Sequence, residues 1–191
     1  KLKTLESKPY EILFISGNHE NFDRLKQFPT QIRYGGKVKQ IRKNIFLLMR
    51  GQLFTIENHT FFTMGGAYSI DQSSRCEHIS WWKEELPNNE EYKIAIQTLK
   101  DNPKVDYILT HTAPQTIIKM MKFDLCDDLE LTGFFDWMMY EISFKKWFFG
   151  HFHTDNKIDY VDNILPVFLN VYKIHPNDQL EYLEYASYFI E

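Results

Sequence analysis

A short aromatic run that ends in a glycine and two histidines constrains this chain more than any other stretch. Residues 146–149 are Lys-Trp-Phe-Phe, and Gly150, His151, Phe152 and His153 follow directly. A short apolar run closed by a turn residue predicts a buried strand. The histidines then follow its carboxyl end, where open α/β sheets place their ligand sites. Because neutral imidazole is the commonest side-chain ligand of metals, the stretch predicts a metal site at this strand end.

The one-residue spacing of His151 and His153 leaves two arrangements open. In extended backbone the two side chains share one face at a separation of about 7 Å, which is too far for both to bind one ion. A turn would bring both imidazoles onto one ion. Otherwise each histidine serves one of two adjacent ions.

Two other apolar runs end in the same way. Residues 11–15 predict a strand that leads into Asn18 and His19, and residues 105–109 predict a strand that ends just before His111. Because neighbouring strands lie about 4.8 Å apart, loops from adjacent strand ends can converge on one or two ions. Mixed oxygen and nitrogen donors suit Mn, Fe, Zn or Co. Two such ions about 3.5–4 Å apart clamp the attacking and leaving oxygens of a phosphoryl displacement.

The remaining patterns predict a mixed α/β domain in which helices cover at least one sheet. Four short β-type runs in the first third of the chain favour antiparallel hairpins. Residues 179–189 predict a terminal helix, with a strand as the alternative. The other predicted strands are 37–41, 45–50, 53–56, 60–64, 157–160 and 165–171, and the other predicted helices are 2–8, 21–27, 90–100, 115–122 and 131–142.

Bulk properties limit the function classes. The length of 191 residues suits one domain over residues 1–191. The net charge of −4 argues against non-specific nucleic-acid binding, and no apolar stretch approaches the roughly 18 residues of a membrane span. Cys76 and Cys126 are too few for a disulfide framework. Free thiols predict a reducing compartment, and we therefore expect a cytoplasmic protein.

Several of these residues also have simpler interpretations. Asn18 and His19 could form a turn with a helix cap, and His111 could satisfy backbone groups at a strand end. Asp71 and Arg75 are either a local salt bridge, which the four-residue spacing favours, or substrate-proximal groups that face a phosphate.

Three further features are expected to have structural roles only. His59 lies between two predicted strands and is expected to be solvated in a hairpin turn. The acidic residues between 124 and 130 are expected to form a solvated loop, because they lack the glycine and spacing of an EF-hand. The tryptophans at 81 and 82 are expected to pack in the core or in a lid.

The histidine-bearing blocks resemble the last three signature blocks of the calcineurin-like metallophosphoesterases. These blocks are Gly-Asn-His-Glu at 17–20, Thr-His at 110–111 and Gly-His-Phe-His at 150–153, in the order and approximate spacing of that family. The segment 65–71, together with Arg75 and the two tryptophans, resembles a bacterial or phage-type branch. The resemblance extends from residue 11 to about residue 171.

The resemblance implies a metallophosphoesterase-like four-layer α/β/β/α sandwich with mixed sheets and a dinuclear centre. By resemblance, Asn18, His111 and His151 bind one metal and His153 binds the other, with Mn, Fe or Zn as the two divalent ions. His19 is then no ligand but a proton donor or charge stabiliser near the leaving-group oxygen. The implied reaction is attack of a metal-activated hydroxide on a phosphomonoester or phosphodiester, in a small molecule or a nucleotide. The final block is closer to phosphodiesterases and general phosphoesterases than to Ser/Thr protein phosphatases.

The sequence also departs from the family pattern. The two earlier blocks, D-x-H and G-D, are absent, because no aspartate precedes Asp23 and no histidine precedes His19. We therefore expect the first β-α-β portion to be missing from this domain, together with the bridging aspartate. Two alternatives follow: a non-catalytic binding scaffold with a metallophosphoesterase fold, and a mononuclear site with another hydrolytic task.

Overall fold

Two larger sheets packed face to face form the framework of the computed structural model, which describes residues 2–124 and 128–183. The strands are β1 Ile12–Phe14, β2 Thr30–Arg33, β3 Gly36–Arg42, β4 Ile45–Leu48, β5 Gln52–Ile56, β6 His59–Met64, β7 Lys104–Thr110, β8 Ser143–Phe149, β9 Ile164–Pro166, β10 Val171–Ile174 and β11 Leu180–Leu183. The helices are α1 Leu2–Glu6, α2 Phe22–Lys26, α3 Asn89–Asp101, α4 Gln115–Met120 and α5 Leu129–Glu141. Short 3₁₀ turns lie at Gln72–Ser74 and Lys83–Glu85.

The strand directions place several loops at one edge of the structure. The five-stranded sheet has the order β5-β6-β7-β8-β9, and β6 to β9 run parallel to one another. The four-stranded sheet has the order β1-β4-β3-β2, with β1 parallel to β4 and antiparallel pairing in the rest. Since carboxyl ends of parallel strands meet at one edge, the loops after β6, β7 and β8 are neighbours.

Three apolar clusters define four layers. The inner cluster joins the two sheets through Val38, Phe46 and Leu48 on one side and Phe54 on the other. A second cluster packs α2 onto the outer face of the four-stranded sheet. The largest cluster packs α3, α4 and α5 onto the outer face of the five-stranded sheet, around residues such as Trp147. The order helix, sheet, sheet, helices confirms the predicted α/β/β/α sandwich with mixed sheets.

Most predicted elements are present, and three in the last third are wrong in whole or in part. The predicted strand 165–171 is interrupted, because residues 167–170 form a loop between β9 and β10. The predicted strand 157–160 is a loop and turn, because Ile158 alone inserts into the large cluster while Asp159 and Tyr160 stay exposed. Of the two alternatives for residues 179–189, the helix is wrong and the strand is confirmed over β11, which pairs antiparallel with β10 so that the rings of Tyr172 and Tyr182 lie opposite each other. Residues 184–189 lie outside the described part of the chain. Strand β2 was not predicted.

Two side chains expected in solvent are buried. His59 is only 9% exposed, because the β10–β11 turn covers it and places Asp178 Oδ1 3.1 Å from its Nδ1. Asp128 is also buried, and it accepts a hydrogen bond from the backbone N–H of Tyr68. The acidic loop prediction is therefore wrong for Asp128, whereas Asp124 and Glu130 are exposed as expected.

Candidate metal centre

A single cavity of about 420 Å³ at the carboxyl ends of the strands gathers most of the predicted site residues. It lies where the loop after β1 meets the loops after β6, β7 and β8. Arg75 is the predicted site residue that does not line it. The predicted residues in its lining are Asn18, His19, Asp71, His111, His151 and His153.

Asn18 and His111 bring the two sheets together inside this cavity. The Asn18 Oδ1 atom lies 3.0 Å from His111 Nε2, although the two residues are 93 positions apart in the chain. Gly17 permits this approach, because a Cβ at that position would lie 3.0 Å from Cε1 of the His111 ring. A separation of about 3 Å is also the distance between adjacent ligands of an octahedral ion with bonds of about 2.1 Å.

His151 is aimed by an unusual backbone turn. The Phe152 N–H donates to the Gly150 carbonyl at 2.8 Å across His151, whose φ is +68°. This is a three-residue γ-turn of the rare and strained kind. His153 also has a positive φ, of +50°. The pleat of β8 therefore ends at Gly150, and the turn places the His151 ring 5.1 Å from the His111 ring between centroids.

His153 occupies a different part of the cavity wall. Its ring is exposed and stacks on Phe168 with a centroid separation of 4.9 Å. His153 is therefore more exposed than His111 and His151, although all three line the same cavity. Which of the two arrangements left open by the sequence applies stays a prediction.

The histidines deepest in the cavity are held neutral. Burial lowers the pKa of His111 from 6.5 to about 3, and the neighbouring His151, His19 and His153 lower it further. Burial also lowers the pKa of His151 from 6.5 to about 4, with a smaller contribution from His153. Since a metal binds the neutral imidazole, both side chains are already in the ligating form at pH 7.

His19 and Asp71 stand at the more open side of the cavity. His19 is exposed, and its Nε2 lies 3.4 Å from Asn18 Nδ2. Asp71 accepts a hydrogen bond of 2.6 Å from Arg75 Nη2, which confirms the predicted local salt bridge. Arg75 also donates to the Ser80 carbonyl at 2.8 Å. Its guanidinium is therefore engaged by protein groups.

Sequence reasoning missed the residues behind Asn18. Asn18 Nδ2 donates to Ser69 Oγ at 3.1 Å, and Ser69 Oγ donates to Glu85 Oε2 at 2.5 Å. Ser69 stands in the Gly-Gly segment that drew attention to 65–71, but the sequence carries no signal that Glu85 is buried. The charged residues at 83–85, which include Glu85, are typical of a turn exposed to solvent.

The two imidazoles and the amide oxygen in the cavity fit a divalent ion in type and placement, but they are too few to complete its coordination. Two neutral imidazoles and an amide oxygen are ligands that Mn, Fe and Zn accept. Within residues 2–124 and 128–183, however, no three His, Cys, Asp or Glu side chains are grouped closely enough to hold an ion. Asn18, His111 and His151 could therefore supply only part of a coordination shell, and other ligands would have to complete it.

Comparison with known families agrees with this geometry. The family model for calcineurin-like phosphoesterases matches residues 1–155, which include every block named above. The chain belongs to the calcineurin-like phosphoesterase family. No curated protein matches this calcineurin-like phosphoesterase significantly. The family relation supports metal-dependent hydrolysis of phosphoesters, with divalent metals as cofactors.

None of the helices described for this phosphoesterase has the length and apolarity needed to cross a bilayer.

Proposed function

We propose that this phosphoesterase cleaves phosphoric esters in the cavity at the strand ends, as a single domain with two divalent ions, Mn, Fe or Zn. The observation that carries the proposal is the convergence of Asn18, His111, His151 and His19 on one cavity. These residues come from loops far apart in the chain. Their meeting at the carboxyl ends of parallel strands is what a ligand site in an α/β sheet requires.

The cavity residues have separate tasks in this proposal. Asn18, His111 and His151 hold one ion, and His153 contributes to the second. Bound ions supply a hydroxide nucleophile near neutral pH and neutralise charge on the phosphoryl oxygens. The partly buried imidazoles of His111 and His151 line the cavity, and their neutral state keeps positive repulsion away from the cations.

His19 is suited to the proton transfer. Its ring is exposed in the cavity and lies beside the Asn18 amide nitrogen. An imidazole at that position can donate a proton to the leaving-group oxygen as the phosphorus–oxygen bond breaks. Asp71 lines the cavity and can face the substrate, a small phosphoester or a nucleotide, whereas Arg75 reaches it only through its hydrogen bond to Asp71. Because two cysteines are too few for a disulfide framework, we propose a reducing, cytoplasmic location.

The first test separates chemistry from metal binding. His19→Ala is compared with the wild-type chain after chelator treatment and reloading with Mn²⁺, using bis-p-nitrophenyl phosphate and p-nitrophenyl phosphate. We expect kcat to fall by about 10²–10⁴-fold, while the metal content from elemental analysis stays unchanged. His175→Ala, which removes a histidine on the β10–β11 hairpin, is the matched control and should keep full activity.

The metal content itself tests the dinuclear form. Two ions per chain support it and imply that further ligands complete the shells. One ion or none contradicts it. Equal activity of the His19→Ala and wild-type chains would remove the assigned proton donor.

A non-catalytic scaffold is the second candidate. It is favoured by the open donor set, since no three ligands of the usual acidic, thiol or imidazole type are grouped in the described residues. A wild-type chain that binds Mn²⁺ weakly and hydrolyses neither substrate would support this alternative.

A further inference from the structure

Behind the candidate metal centre, three hydrogen-bonded and buried side chains connect loops that follow strands of the two larger sheets. Asn18, Ser69 and Glu85 have exposed fractions of only 4%, 2% and 1%. They come from the loop after β1, the loop after β6 and a 3₁₀ turn. Solvent therefore cannot replace any of their mutual hydrogen bonds.

The carboxylate of Glu85 determines which group donates in each of these hydrogen bonds. An ionised carboxylate only accepts hydrogen bonds, so the single hydroxyl proton of Ser69 is donated to Glu85 Oε2 at 2.5 Å. The Ser69 oxygen can then only accept from its other neighbour. Asn18 must present its amide nitrogen to Ser69, at 3.1 Å, and its Oδ1 therefore faces His111 and the cavity.

A reversed Asn18 amide would fail at both ends. Its oxygen would face a hydroxyl that has no proton left to give, and its nitrogen would face the position of the cation. Amide oxygen and nitrogen differ little in size, so packing alone does not select between the two orientations. The carboxylate of Glu85 supplies that selection.

The burial of the Glu85 carboxylate is energetically unfavourable. Burial raises the pKa of Glu85, and its Oε1 atom has no hydrogen-bond partner in the described structure. A buried carboxylate whose hydrogen bonds do not satisfy both oxygens destabilises a fold relative to a neutral isostere. The backbone holds the residue tightly, because Arg50 Nη2 donates to the Glu85 carbonyl at 3.1 Å and a Cβ at Gly66 would lie 2.4 Å from that oxygen.

We propose that Ser69 and Glu85 are positioning residues that orient the Asn18 amide so that its oxygen faces the bound cation. This inference rests on the proposed function for the identity of the ligand. The orientation itself belongs to the metal-free protein and can be measured there.

The decisive variant is Glu85→Gln, which keeps the shape but can also donate. The introduced side-chain amide can give a proton to Ser69, which frees the Ser69 hydroxyl to donate to Asn18 Oδ1 and permits the reversed amide. In the metal-free, ¹⁵N-labelled chain we expect the Asn18 side-chain amide resonances to shift or split. Ser69→Ala should shift them as well, because it removes the acceptor. Thr63→Val, which deletes a buried hydroxyl bound to the Met49 carbonyl outside the cavity, should leave them unchanged.

A Mn²⁺ titration gives the functional readout. Loss of an outer hydrogen-bond partner lowers metal affinity by about 10–100-fold, and we expect this for Glu85→Gln and Ser69→Ala. The free energy of unfolding of Glu85→Gln should be equal to or higher than that of the wild type, whereas a merely structural role predicts a decrease. In an Asn18→Asp background, where both oxygens accept, Glu85→Gln should cause no further loss of affinity.

The outcomes separate the two proposals. Unchanged Asn18 amide resonances in both Glu85→Gln and Ser69→Ala would overturn the positioning role. If the wild-type chain binds no Mn²⁺, the proposed function fails, while the amide resonances still decide whether Glu85 orients Asn18.

Discussion

The two sides of the candidate metal centre are built in different ways. His111 follows strand β7 and His151 follows strand β8. Within these two strands, Ile108, Trp147 and Phe149 are almost fully buried beneath helices α4 and α5. Asn18 follows β1, and all three residues of this strand are only half-buried. Among the described strands, β1 pairs only with β4 and so lies at the edge of its sheet. The imidazole side thus rests on the largest apolar cluster, and the amide side rests on an edge.

This difference shows what each side needs for a fixed geometry. A ligand that stands on a packed core is positioned by the same burial that stabilises the fold. A ligand beside an edge strand needs polar contacts of its own, and Asn18 has them in Ser69 and Glu85. Glycines at 17 and 65 then bring the two sides into contact.

The largest expected effect comes from emptying the core under the imidazole side. Trp147 is fully buried, packs edge-on against Phe135 and donates to Thr110 Oγ1 at 2.7 Å. Trp147→Ala should lower the free energy of unfolding by about 3–5 kcal/mol, measured by urea denaturation with circular dichroism. Leu13→Ala on the amide side should cost only about 1–2 kcal/mol, because Leu13 is half-buried. A larger loss for Leu13→Ala would reverse the comparison.

Acid should weaken the imidazole side before the amide side. The unfolded chain binds protons near the ordinary histidine pKa of 6.5, whereas folded His111 and His151 titrate at about 3 and about 4. Stability of the metal-free chain is therefore fully present above pH 6.5 and is lost as pH falls towards 4. The slope is at most about 1.4 kcal/mol per pH unit for each histidine. The double variant with glutamine at both positions should show a flatter profile, and an unchanged slope would contradict these assignments.

A smaller effect tests the contact between the two sides. A Cβ at Gly65 would lie 2.4 Å from the Ser16 carbonyl oxygen, next to the hydrogen bond of 2.9 Å from Gly66 N–H to the same oxygen. Gly65→Ala should therefore cost about 1–3 kcal/mol. Gly133→Ala in α5 is the matched control. Apart from the adjoining residues and the backbone of its own helix, no described heavy atom lies within 4 Å of the added methyl group, and the variant should gain about 1 kcal/mol of helix propensity. Equal changes in the free energy of unfolding for the two variants would show that the structure around Gly65 can accommodate a methyl group.

The sequence predicted the layered α/β architecture because apolar runs and turn residues alternate clearly along the chain. It also predicted that loops at neighbouring strand ends converge, and the structure brings Asn18, His111 and His151 into one cavity. It did not predict the burial of Glu85, since local composition gives no sign that a distant serine will cover a carboxylate. The same holds for His59, which is buried by a turn more than a hundred residues away in the chain.

Local backbone conformation was also out of reach. The alternation of β8 places His151 and His153 on one face in extended backbone, and only the structure shows that both adopt positive φ. The hairpin β10–β11 replaced the predicted helix because cross-strand tyrosine pairs stabilise a sheet. Tyrosines at those positions are compatible with either element when the partner strand is unknown.

The γ-turn at His151 has a consequence for how this site is prepared for its ligand. Left-handed backbone is tolerated by His, Asn, Asp and Gly and excludes β-branched residues, so few side chains can occupy position 151. The turn is held by Gly150 N–H, which donates to the His111 carbonyl at 3.0 Å. The conformational entropy of the loop is therefore lost when the chain folds, and a cation bound as proposed would meet a donor that is already preorganised.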